Sequence, residues 1–584
     1  MERLEKKNIK GNTYYYYSKW GYVNGKCRRI WQKYLGKLED IVKAVDGGGP
    51  CPQYADIFQY GLPIALWLEC CRAHIINQVN AKCPKRAQGL SIGEYIAIAG
   101  INRAMHPTSK SSLFDWFSKT ILRREFPRAS RTALSSQRFW YHMDQIQPEM
   151  ALTIWTNIIK AVVEREAFEL SSVCYDGTNF YTFIDTFNTR CEIAKRGKNK
   201  QGRANLRQVS YALFCSAHEQ IPLYYNVYEG NLNDTTQFPV MLRQFQEFLN
   251  KTFGQDVQAC QSRVTLIFDK GNNSEDNFKL IDKLKLHYVG SKKLSEVKDL
   301  AETSNSDPRF KDCKAIGLES TKVFRVTKKV YGKNRTIVVT YNKELFDCQW
   351  LTLHNDISKA VPKLRALQQK LQDRANGIIT KGKCPTVASI KKQCQSILKR
   401  QYMKQVIEHT VTVGQGDKDK DKDKDKDKEI PELTYSINTK AIKRLSDTYL
   451  GKNLIVTDRN EWSNDQIILA YRSQFHIENV FKEMKDRDIG SWWPVYHWTD
   501  QKIHIHAFYC TIAVLLRALI YRRVRKGGIH ISMKRMLAEL SAIKEVIIVY
   551  PRKRKGKKER QHTVLSKTSE LQESLLSILE VKRE

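Results

Sequence analysis

Three residues that could act together on a phosphate recur at seven-residue intervals in one predicted helix: Tyr471, Glu478 and Lys485. Seven residues are roughly two helical turns, so these side chains would stack along one face. Beside that face an apolar stripe at helical spacing would pack the helix onto a core, formed by Ile477, Phe481 and Met484. A carboxylate with a lysine two turns further on suits a metal-bound phosphate, although Glu and Lys on a helix are also typical of a solvated surface.

Two aspartates upstream of this helix could form a site together with Glu478. Asp176 falls in the middle of a predicted strand among aromatic and β-branched residues, and Asp269 stands where a nearly continuous apolar strand runs out into Lys-Gly-Asn-Asn. Either aspartate alone could cap a turn. Together with Glu478, however, they are acids from two strands and one helix of a single α/β domain, and such acids can converge.

Converging carboxylates need a cation, because like charges within a few ångströms raise each other's pKa. Hard oxygen ligands select Mg²⁺, and Mn²⁺ can substitute for it. Two such ions about 4 Å apart can activate an attacking hydroxyl and stabilise the departing oxygen of a phosphodiester. The sequence therefore predicts a phosphodiester-transfer site with three carboxylates as catalytic residues and metal ligands: Asp176, Asp269 and Glu478.

The overall charge indicates a polyanionic partner. Lys and Arg total 98 against 62 Asp and Glu, a formal net charge of +36, and nucleic acid is the first candidate. The 14 cysteines include no CxxC pair, which argues against a zinc ribbon or a disulfide framework. The start of the chain lacks an apolar signal core, and the longest apolar run, Ala507 to Leu516, is too short to span a membrane. These features predict a cytoplasmic protein without a membrane partner.

The pattern of the first 168 residues predicts two segments. Alternating aromatic and polar residues with an Asn24-Gly25 turn predict a β-ribbon over residues 1–48. Residues 49–168 are helical, with a capping box at Ser91-x-x-Glu94. We expect a helical DNA-binding domain here, and a plain packing domain is the alternative.

The rest of the chain predicts an α/β domain interrupted by an insertion. Strands alternate with helices over residues 169–291, as the first part of a catalytic domain, and its second part, with the Glu478 helix, occupies residues 448–545. Residues 292–447 look like a separate β-rich insertion that carries an Asp-Lys repeat at 417–428, most simply a solvated loop. Residues 546–584 form a basic tail whose Arg552–Lys558 run would contact phosphates or aid solubility.

These motifs together resemble the bacterial insertion-sequence transposases of the DDE type, specifically the insertion-sequence-4 group. That group places its third acid in a Tyr-x2-Arg-x3-Glu-x6-Lys signature, which Tyr471, Glu478 and Lys485 match, whereas Gln474 replaces the signature arginine and Arg472 lies nearby. The strands around Asp176 and Asp269 resemble those of the family's first two aspartates. Further similar segments cover most of the chain: Leu35–Asp40, Ser109-Lys110, Gly230–Asp234, Pro494–Asp500 and Lys502–His506.

The resemblance implies a ribonuclease-H-like catalytic domain that cuts transposon ends and joins the freed 3′ hydroxyl groups to target DNA. In that reading Tyr471, Arg472 and Lys485 contact DNA phosphates. The partners it implies are double-stranded DNA, as transposon ends and target, and a second copy of the chain in a homodimer. It also implies a bacterial, nucleoid-associated location.

Two other functions remain open from the sequence. Because Gln474 replaces the signature arginine, the chain could be a transposase-derived DNA-binding protein that no longer cuts. A metal-dependent nuclease could use the same three acids and would cut without joining. A tyrosine recombinase is disfavoured, since its chemistry needs no carboxylate triad and wants several arginines around the tyrosine.

The histidines and tryptophans downstream of Glu478 are expected to be structural. Without a further ligand, a metal site at His504 and His506 is less favoured than core or DNA-backbone histidines, and His497 is read in the same way. The tryptophans could stack on bases, but the pattern favours the core for all three: Trp492, Trp493 and Trp498.

Overall fold

A computed structural model of the chain describes residues 1–23, 25–46, 52–84, 88–167, 170–198, 202–203, 205–254, 263–413, 430–490, 492–493, 495–551 and 559–582. Four features read from the sequence lie wholly or partly outside these ranges: Asn24 of the predicted hairpin turn, the Asp-Lys repeat at 417–428, Pro494 and the Arg552–Lys558 run.

Strands, in chain order, are β1 (Glu2–Ile9), β2 (Asn12–Val23), β3 (Lys26–Gly36), β4 (Tyr54–Gln59), β5 (Ser172–Tyr181), β6 (Gln208–Ser216), β7 (Pro222–Glu229), β8 (Thr265–Phe268), β9 (His287–Lys292), β10 (Lys311–Asp312), β11 (Thr321–Val330), β12 (Lys333–Asn342), β13 (Ile407–Val413), β14 (Pro431–Ile437), β15 (Lys452–Thr457), β16 (Lys544–Tyr550) and β17 (Arg560–Leu565).

Helices, in chain order, are α1 (Leu38–Asp46), α2 (Gly61–Arg72), α3 (Ile75–Asn80), α4 (Ile92–Met105), α5 (Leu113–Phe117), α6 (Leu122–Glu125), α7 (Ser136–Met143), α8 (Pro148–Glu166), α9 (Asp234–Phe253), α10 (Glu275–Lys283), α11 (Lys298–Ala301), α12 (Lys343–Ala375), α13 (Val387–Ile397), α14 (Met403–Val406), α15 (Thr439–Arg444), α16 (Asn464–Arg472), α17 (Phe475–Lys485), α18 (Asp500–Lys526), α19 (Met533–Ala542) and α20 (Glu570–Ile578).

The chain divides into two compact units. The first comprises Met1–Gln147, Arg487–Pro494 and Tyr509–Glu584, and the second comprises Pro148–Asp486 and Val495–Phe508. Each unit mixes strands and helices, so the predicted α/β class is confirmed at this coarse level.

A nine-stranded sheet organises the second unit, in the order β10-β11-β12-β15-β9-β8-β5-β6-β7. The pairs β5–β8 and β8–β9 are parallel, and the other pairs are antiparallel. Every residue of β8 and of β6 is buried, as expected of strands that are covered on both faces.

Helices cover both faces of this sheet. On one face, α9 packs Phe238 against Tyr175 and Phe268, with ring centroids 4.9 and 5.1 Å apart. On the other face, α17 brings Phe481 to 6.3 Å from Tyr211. These aromatic contacts place α17 over β5 and β6, near the β7 edge of the sheet.

Residues 311–342, which the sequence assigns to a separate insertion, belong to this sheet. Strand β12 pairs with β15 so that Val338 stands opposite Ile455, and β15 in turn pairs with β9. The part outside the sheet therefore begins at Lys343. It contains α12 to α15 and the β13–β14 hairpin, which enclose a separate apolar cluster that includes Leu364, Ile390, Met403 and Leu433.

The first unit contains two smaller sheets and a helical core. Strands β1, β2 and β3 form an antiparallel meander followed by α1. The second sheet, β17-β16-β4, joins the C-terminal segment to the N-terminal part, since β16 pairs with β4. Residues from Tyr509 onwards thus belong to the first unit, and the predicted tail contains β17 and α20. Sequence periodicity could not show this pairing, because the two partners are almost 500 residues apart.

Among the described residues, one helix, Asp500–Lys526, is long and apolar enough to cross a membrane by length and composition, and 94% of its most apolar window is buried inside the protein. Burial of this kind is also shown by the core helix of a soluble protein.

A buried carboxylate supports the first unit and gives a stability prediction. Glu69 is fully buried and accepts hydrogen bonds from Arg72 Nη1 at 2.6 Å and from Arg523 Nε at 2.8 Å. We expect Glu69→Leu to destabilise this unit by about 2 kcal/mol, because Arg523 and Arg72 would lose the buried carboxylate between them, while Arg72 would keep its ion pair with Glu580 at 2.6 Å. The partly exposed arginines keep the value below the roughly 3–5 kcal/mol of a fully buried pair.

Urea unfolding of the full-length protein checks this prediction. The matched control is Asp115→Asn, which removes the carboxylate partner of Arg131 on the exposed surface of the same unit, where the ion pair is 2.7 Å long. Such a pair contributes about 0–1 kcal/mol. An equal effect of the two substitutions would contradict a structural role for the Glu69 pair.

Candidate active site on the nine-stranded sheet

The first two predicted acids, Asp176 and Asp269, lie next to each other where the parallel pairing of β5 with β8 ends. In the β5–β8 ladder, Tyr175 is opposite Phe268; Asp176 follows Tyr175 within β5, and Asp269 follows Phe268 directly after β8 ends. Neighbouring strands are about 4.8 Å apart, and equivalent positions of parallel strands direct their side chains to the same face. The register thus brings two half-buried carboxylates to one face of the sheet.

Helix α17 lies over that face. Along β5, the residues that share a face with Asp176 are Cys174 and Thr178. The Cys174 thiol is 3.6 Å from the carbonyl oxygen of Ser473, just before the helix, and Thr178 Oγ1 accepts a hydrogen bond from Lys485 Nζ at the end of the helix. The helix therefore runs alongside this part of β5, and Glu478, which is exposed, lies between these two contacts in the sequence.

Tyr471 connects the second and third acids. Burial raises the pKa of the Tyr471 hydroxyl above its ordinary value, a hydrogen bond with Ser291 opposes that rise, and the nearby carboxylates of Asp269 and Glu478 add to it. Ser291 also donates a hydrogen bond to Asp269 Oδ1 at 3.4 Å. Tyr471 and Ser291 thus lie next to Asp269, and Glu478 is close enough to act on the same hydroxyl.

Ser291 is a site residue that the sequence analysis did not identify. It lies near the end of β9, which runs parallel to β8, so that its position faces the same edge as Asp269. Residues at the carboxyl ends of parallel strands commonly meet at one edge, and this rule could have found Ser291 once β9 was predicted beside β8.

Lys485 and Arg472, both predicted to contact phosphates, have different positions. Lys485 Nζ lies 5.6 Å from the centre of the Phe180 ring, next to Thr178 on the acid-bearing strand. The Arg472 guanidinium instead donates to the carbonyl oxygen of Gly317 at 2.7 Å and to Thr321 Oγ1 at 2.8 Å. The structure therefore brings Lys485 to the sheet face and ties Arg472 to the start of β11.

Gln474, which replaces the signature arginine, is nearly buried at the junction between α16 and α17. Its backbone N–H donates to the carbonyl oxygen of Tyr471 at 3.2 Å. In this position the residue belongs to the turn that joins Tyr471 to the Glu478 helix.

The carboxylates supply the donor type that a divalent metal requires. Asp176, Asp269 and Glu478 offer hard oxygen ligands on one face, which is the chemistry of a Mg²⁺ or Mn²⁺ site. Within the part of the chain that the structure describes, no three His, Cys, Asp or Glu side chains are grouped closely enough to hold a metal ion. The assignment of these carboxylates as metal ligands therefore depends on their oxygen donors and on their positions on the sheet, and not on a preformed cluster.

A cavity of about 870 Å³ opens beside Tyr471 and Ser291. It extends between the sheet and the α12–α15 region, and much of its lining is cationic: Lys270, Lys292, Lys293, Lys298, Arg444 and Lys452. Burial lowers the pKa of Lys452 to about 8, against the opposing effect of Asp447 and Asp307. A positively charged cavity next to the acids can attract a phosphate backbone.

The three histidines that follow Glu478 differ in burial, since His497 and His504 are partly exposed. His497 Nε2 lies 3.0 Å from His506 Nδ1, and His506 is fully buried. Burial lowers the pKa of His504. A structural role for the three histidines stays a prediction.

The tryptophans fall into two groups. Trp492 and Trp493 are buried, which confirms the prediction for them. Trp498 is 50% exposed, so its predicted place in the core is wrong, and the Arg190 guanidinium lies 5.5 Å from the centre of its ring. The sequence could not separate the three, because exposure at this point depends on the fold of the segment after α17.

A family model described as "Transposase DDE domain" matches residues 169–516. No curated protein matches the chain. Among solved structures, the piggyBac transposase synaptic complex with hairpin DNA is similar with a TM-score of 0.36 and 9% identity, over 84% of this chain and 82% of that one. The pre-cleavage Mos1 transpososome is similar with a TM-score of 0.15 and 14% identity, over 35% of this chain and 60% of that one.

Both TM-scores are below 0.5, so the assignment depends on the family model and not on these structures. The matched residues make up more than half of the chain and include Asp176, Asp269 and Glu478. The chain belongs to the family of the transposase DDE domain.

Proposed function

We propose that this transposase binds the ends of an insertion sequence, cleaves the DNA there and joins the freed 3′ hydroxyl groups to target DNA. The observation that carries the proposal is the parallel register of β5 and β8, which puts Asp176 and Asp269 on one face under the Glu478 helix. Acids from three separate elements on one face suit metal-dependent phosphodiester chemistry.

In this proposal Asp176, Asp269 and Glu478 would hold Mg²⁺, or Mn²⁺ in its place. A bound metal pair supplies activation of the attacking hydroxyl and neutralises charge on the leaving oxygen. Tyr471 and Ser291 orient Asp269 through the hydrogen bonds described above. The cationic cavity beside Tyr471 holds the backbone of the strand in line with these groups.

Several finer features belong to the same proposal. The mixed sheet would be a ribonuclease-H-like catalytic domain, and the chain would belong to the insertion-sequence-4 group of bacterial transposases. The net charge of +36 supports double-stranded DNA as the partner, both as transposon ends and as target. We also propose a homodimer in the DNA complex and a cytoplasmic, nucleoid-associated location.

Lys485 offers a test of phosphate binding at this face. We expect Lys485→Met to lower the rate of end cleavage about 100-fold, equivalent to about 2.7 kcal/mol of transition-state stabilisation. The reason is that Lys485 Nζ is held beside the acid-bearing strand by Thr178, where it can contact a phosphate next to the metal ligands. Single-turnover cleavage of labelled end DNA measures the effect.

Lys482→Met is the matched control for this experiment. Lys482 is exposed on the same helix, and its substitution removes the same charge from a side chain that contacts Asn479. We expect the control to cleave within about threefold of the wild-type rate. A control as impaired as Lys485→Met would show that net charge, and not the position of Lys485, determines cleavage.

The two alternative functions give other products from the same DNA. A transposase-derived binding protein would bind the ends and leave them uncut in Mg²⁺ and in Mn²⁺. A nuclease would cut, but the cut 3′ end would not become joined to a second labelled duplex. Joined products whose formation requires a free 3′ hydroxyl would support the transposase proposal over both.

A further inference from the structure

The N-terminal three-stranded sheet carries a row of aromatic rings covered by cations. On one face, Tyr34 packs beside Tyr14 and Tyr16, with ring centroids 6.0 and 5.2 Å away. Trp20 lies further along the same face of β2. We call this the aromatic–cationic face, defined by Arg3, Lys7, Tyr14, Tyr16, Trp20, Arg29, Tyr34 and Lys37.

Three of the four rings of this face, Tyr14, Tyr16 and Trp20, have a positive charge above them. Lys7 Nζ lies 4.9 Å from the centre of Tyr16, and Lys37 Nζ lies 6.0 Å from that of Tyr14. The guanidinium groups of Arg3 and Arg29 lie 4.7 and 5.8 Å from the centre of Trp20. Cation–π contacts of this kind hold long side chains in place, which lowers the entropy lost when they bind a partner.

One carboxylate positions both arginines. Glu5 Oε1 accepts a hydrogen bond from Arg3 Nε at 3.2 Å, and Glu5 Oε2 lies 3.7 Å from Arg29 Nη1. The arginine side chains remain 52% and 37% exposed, whereas that of Glu5 is 16% exposed. The acid therefore lies beneath the cations, and the face presents positive charge outward.

The charge of the segment points to a polyanion. Residues 1–46 contain 11 Lys and Arg against five Asp and Glu. An acidic protein and a nucleic acid would both satisfy this excess. The cations form two groups along one face, one at Trp20 and one at Tyr14 and Tyr16, and an extended array of phosphates such as DNA can contact both groups.

The same contacts favour a duplex over a single strand. Proteins that bind single strands present open ring faces on which bases stack. Here the faces of Tyr16 and Trp20 are already occupied by cations. The major groove of B-DNA, about 12 Å wide, admits a two-stranded β-ribbon, and adjacent strands of this sheet, about 4.8 Å apart, have the spacing of such a ribbon.

We propose that the aromatic–cationic face docks into the major groove of duplex DNA, and that this sheet is a DNA-reading element of the transposase. The proposal rests on the proposed function for its choice of DNA as partner. It assigns to residues 1–46 a role that the sequence analysis gave to the helical segment after them. Arg3 and Arg29, held over Trp20, would contact guanine edges or phosphates.

The test compares two double variants of the full-length protein. Arg3→Ala with Arg29→Ala removes two cations from the aromatic–cationic face, and Lys19→Ala with Lys33→Ala removes two from the opposite face, where Lys19 pairs with Glu2 at 3.4 Å. Affinity is measured by fluorescence anisotropy on duplexes that span the boundaries of the protein's own gene, over a range of salt concentrations.

We expect the first variant to bind about 100-fold more weakly, with the slope of log K against log salt reduced by about 2. The control should stay within about threefold of wild type. Protection of guanine N7 from dimethyl sulfate, which reports on the major groove, should disappear in the first variant only. Lys7→Ala provides a second variant on the same face, and thermal unfolding checks that each protein is folded.

Equal weakening by the two double variants would overturn the proposal, since it would reflect net charge alone. Tighter binding of the separated single strands, or N7 protection that persists in the first variant, would also overturn it. Cleavage assays test the proposed function independently of these binding measurements. If wild type and the Arg3/Arg29 variant bind and cut DNA alike, the DNA-reading role of this face is wrong and the proposed function stands. If the face binds duplex DNA but the wild-type protein never cuts, the DNA-reading role stands and the proposed function is wrong.

Discussion

Replacing Asp269 by Asn is expected to lower the rate of strand cleavage at least about 1,000-fold, a loss of about 4 kcal/mol of transition-state stabilisation. Asparagine keeps the size of the side chain but removes the charge that a divalent metal requires. Affinity for end DNA should stay within about threefold of wild type, because Asp269 is itself anionic and binds no phosphate directly. Cleavage rates under single-turnover conditions and equilibrium binding measure the two effects.

The same result is expected for Asp176→Asn and Glu478→Gln, because both acids share the face with Asp269. Asp276→Asn is the matched control, because Asp276 is exposed in the first turn of α10, a few residues after Asp269. Its substitution should leave the cleavage rate and the affinity for end DNA unchanged. Equal losses of cleavage and binding in the three variants would contradict the proposal and make the acids structural.

Removal of divalent metal should lower the cleavage rate as much as the Asp269→Asn substitution does. With EDTA, wild-type cleavage is expected to fall at least about 1,000-fold and to return when Mg²⁺ or Mn²⁺ is added in excess. The physical reason is that three carboxylates on one face cannot activate a hydroxyl without a cation. Gel analysis of end cleavage over a metal titration measures this dependence.

Substitution of a ligand atom makes the metal test specific to one residue. Asp269→Cys replaces a hard oxygen by a softer sulfur, so cleavage should be lost in Mg²⁺ and partly recovered in Mn²⁺. Asp276→Cys, the control, should cleave equally in both metals. Cleavage by Asp269→Cys that is equally low in both metals, with wild type active in each, would argue that Asp269 does not contact the metal.

The central part of the site could be predicted because its signals are local. A continuous apolar run that ends in Asp269 predicts a buried strand followed by an exposed acid, and the structure has β8 end at Phe268. Glu478 and Lys485 share α17, as their seven-residue spacing predicts, but Tyr471 lies in α16, because the chain turns at Ser473 and Gln474. The prediction of a single helix for all three is therefore wrong. Ser291, next to Asp269, has no local signal in the sequence because its position depends on the order of strands in the sheet.

Other features depend on partners that are distant in the sequence. The alternation in β11 and β12 would look the same in a separate hairpin, and only pairing with β15, more than 100 residues later, makes them part of the central sheet. The resemblance implies a phosphate contact for Arg472 because it lies near Gln474, which occupies the position of the signature arginine. The contact of Arg472 with Gly317 and Thr321 depends on strand β11, which periodicity cannot place.

The measurement that tests the central claim most directly uses purified wild-type and Asp269→Asn protein with labelled DNA that spans the boundaries of the gene, in Mg²⁺ and in EDTA, resolved on a denaturing gel. We predict cuts at the element boundary that appear only with wild-type protein and Mg²⁺. Cuts of equal intensity with Asp269→Asn, or binding without any cut in Mg²⁺ and Mn²⁺, would contradict the assignment of catalysis to these carboxylates.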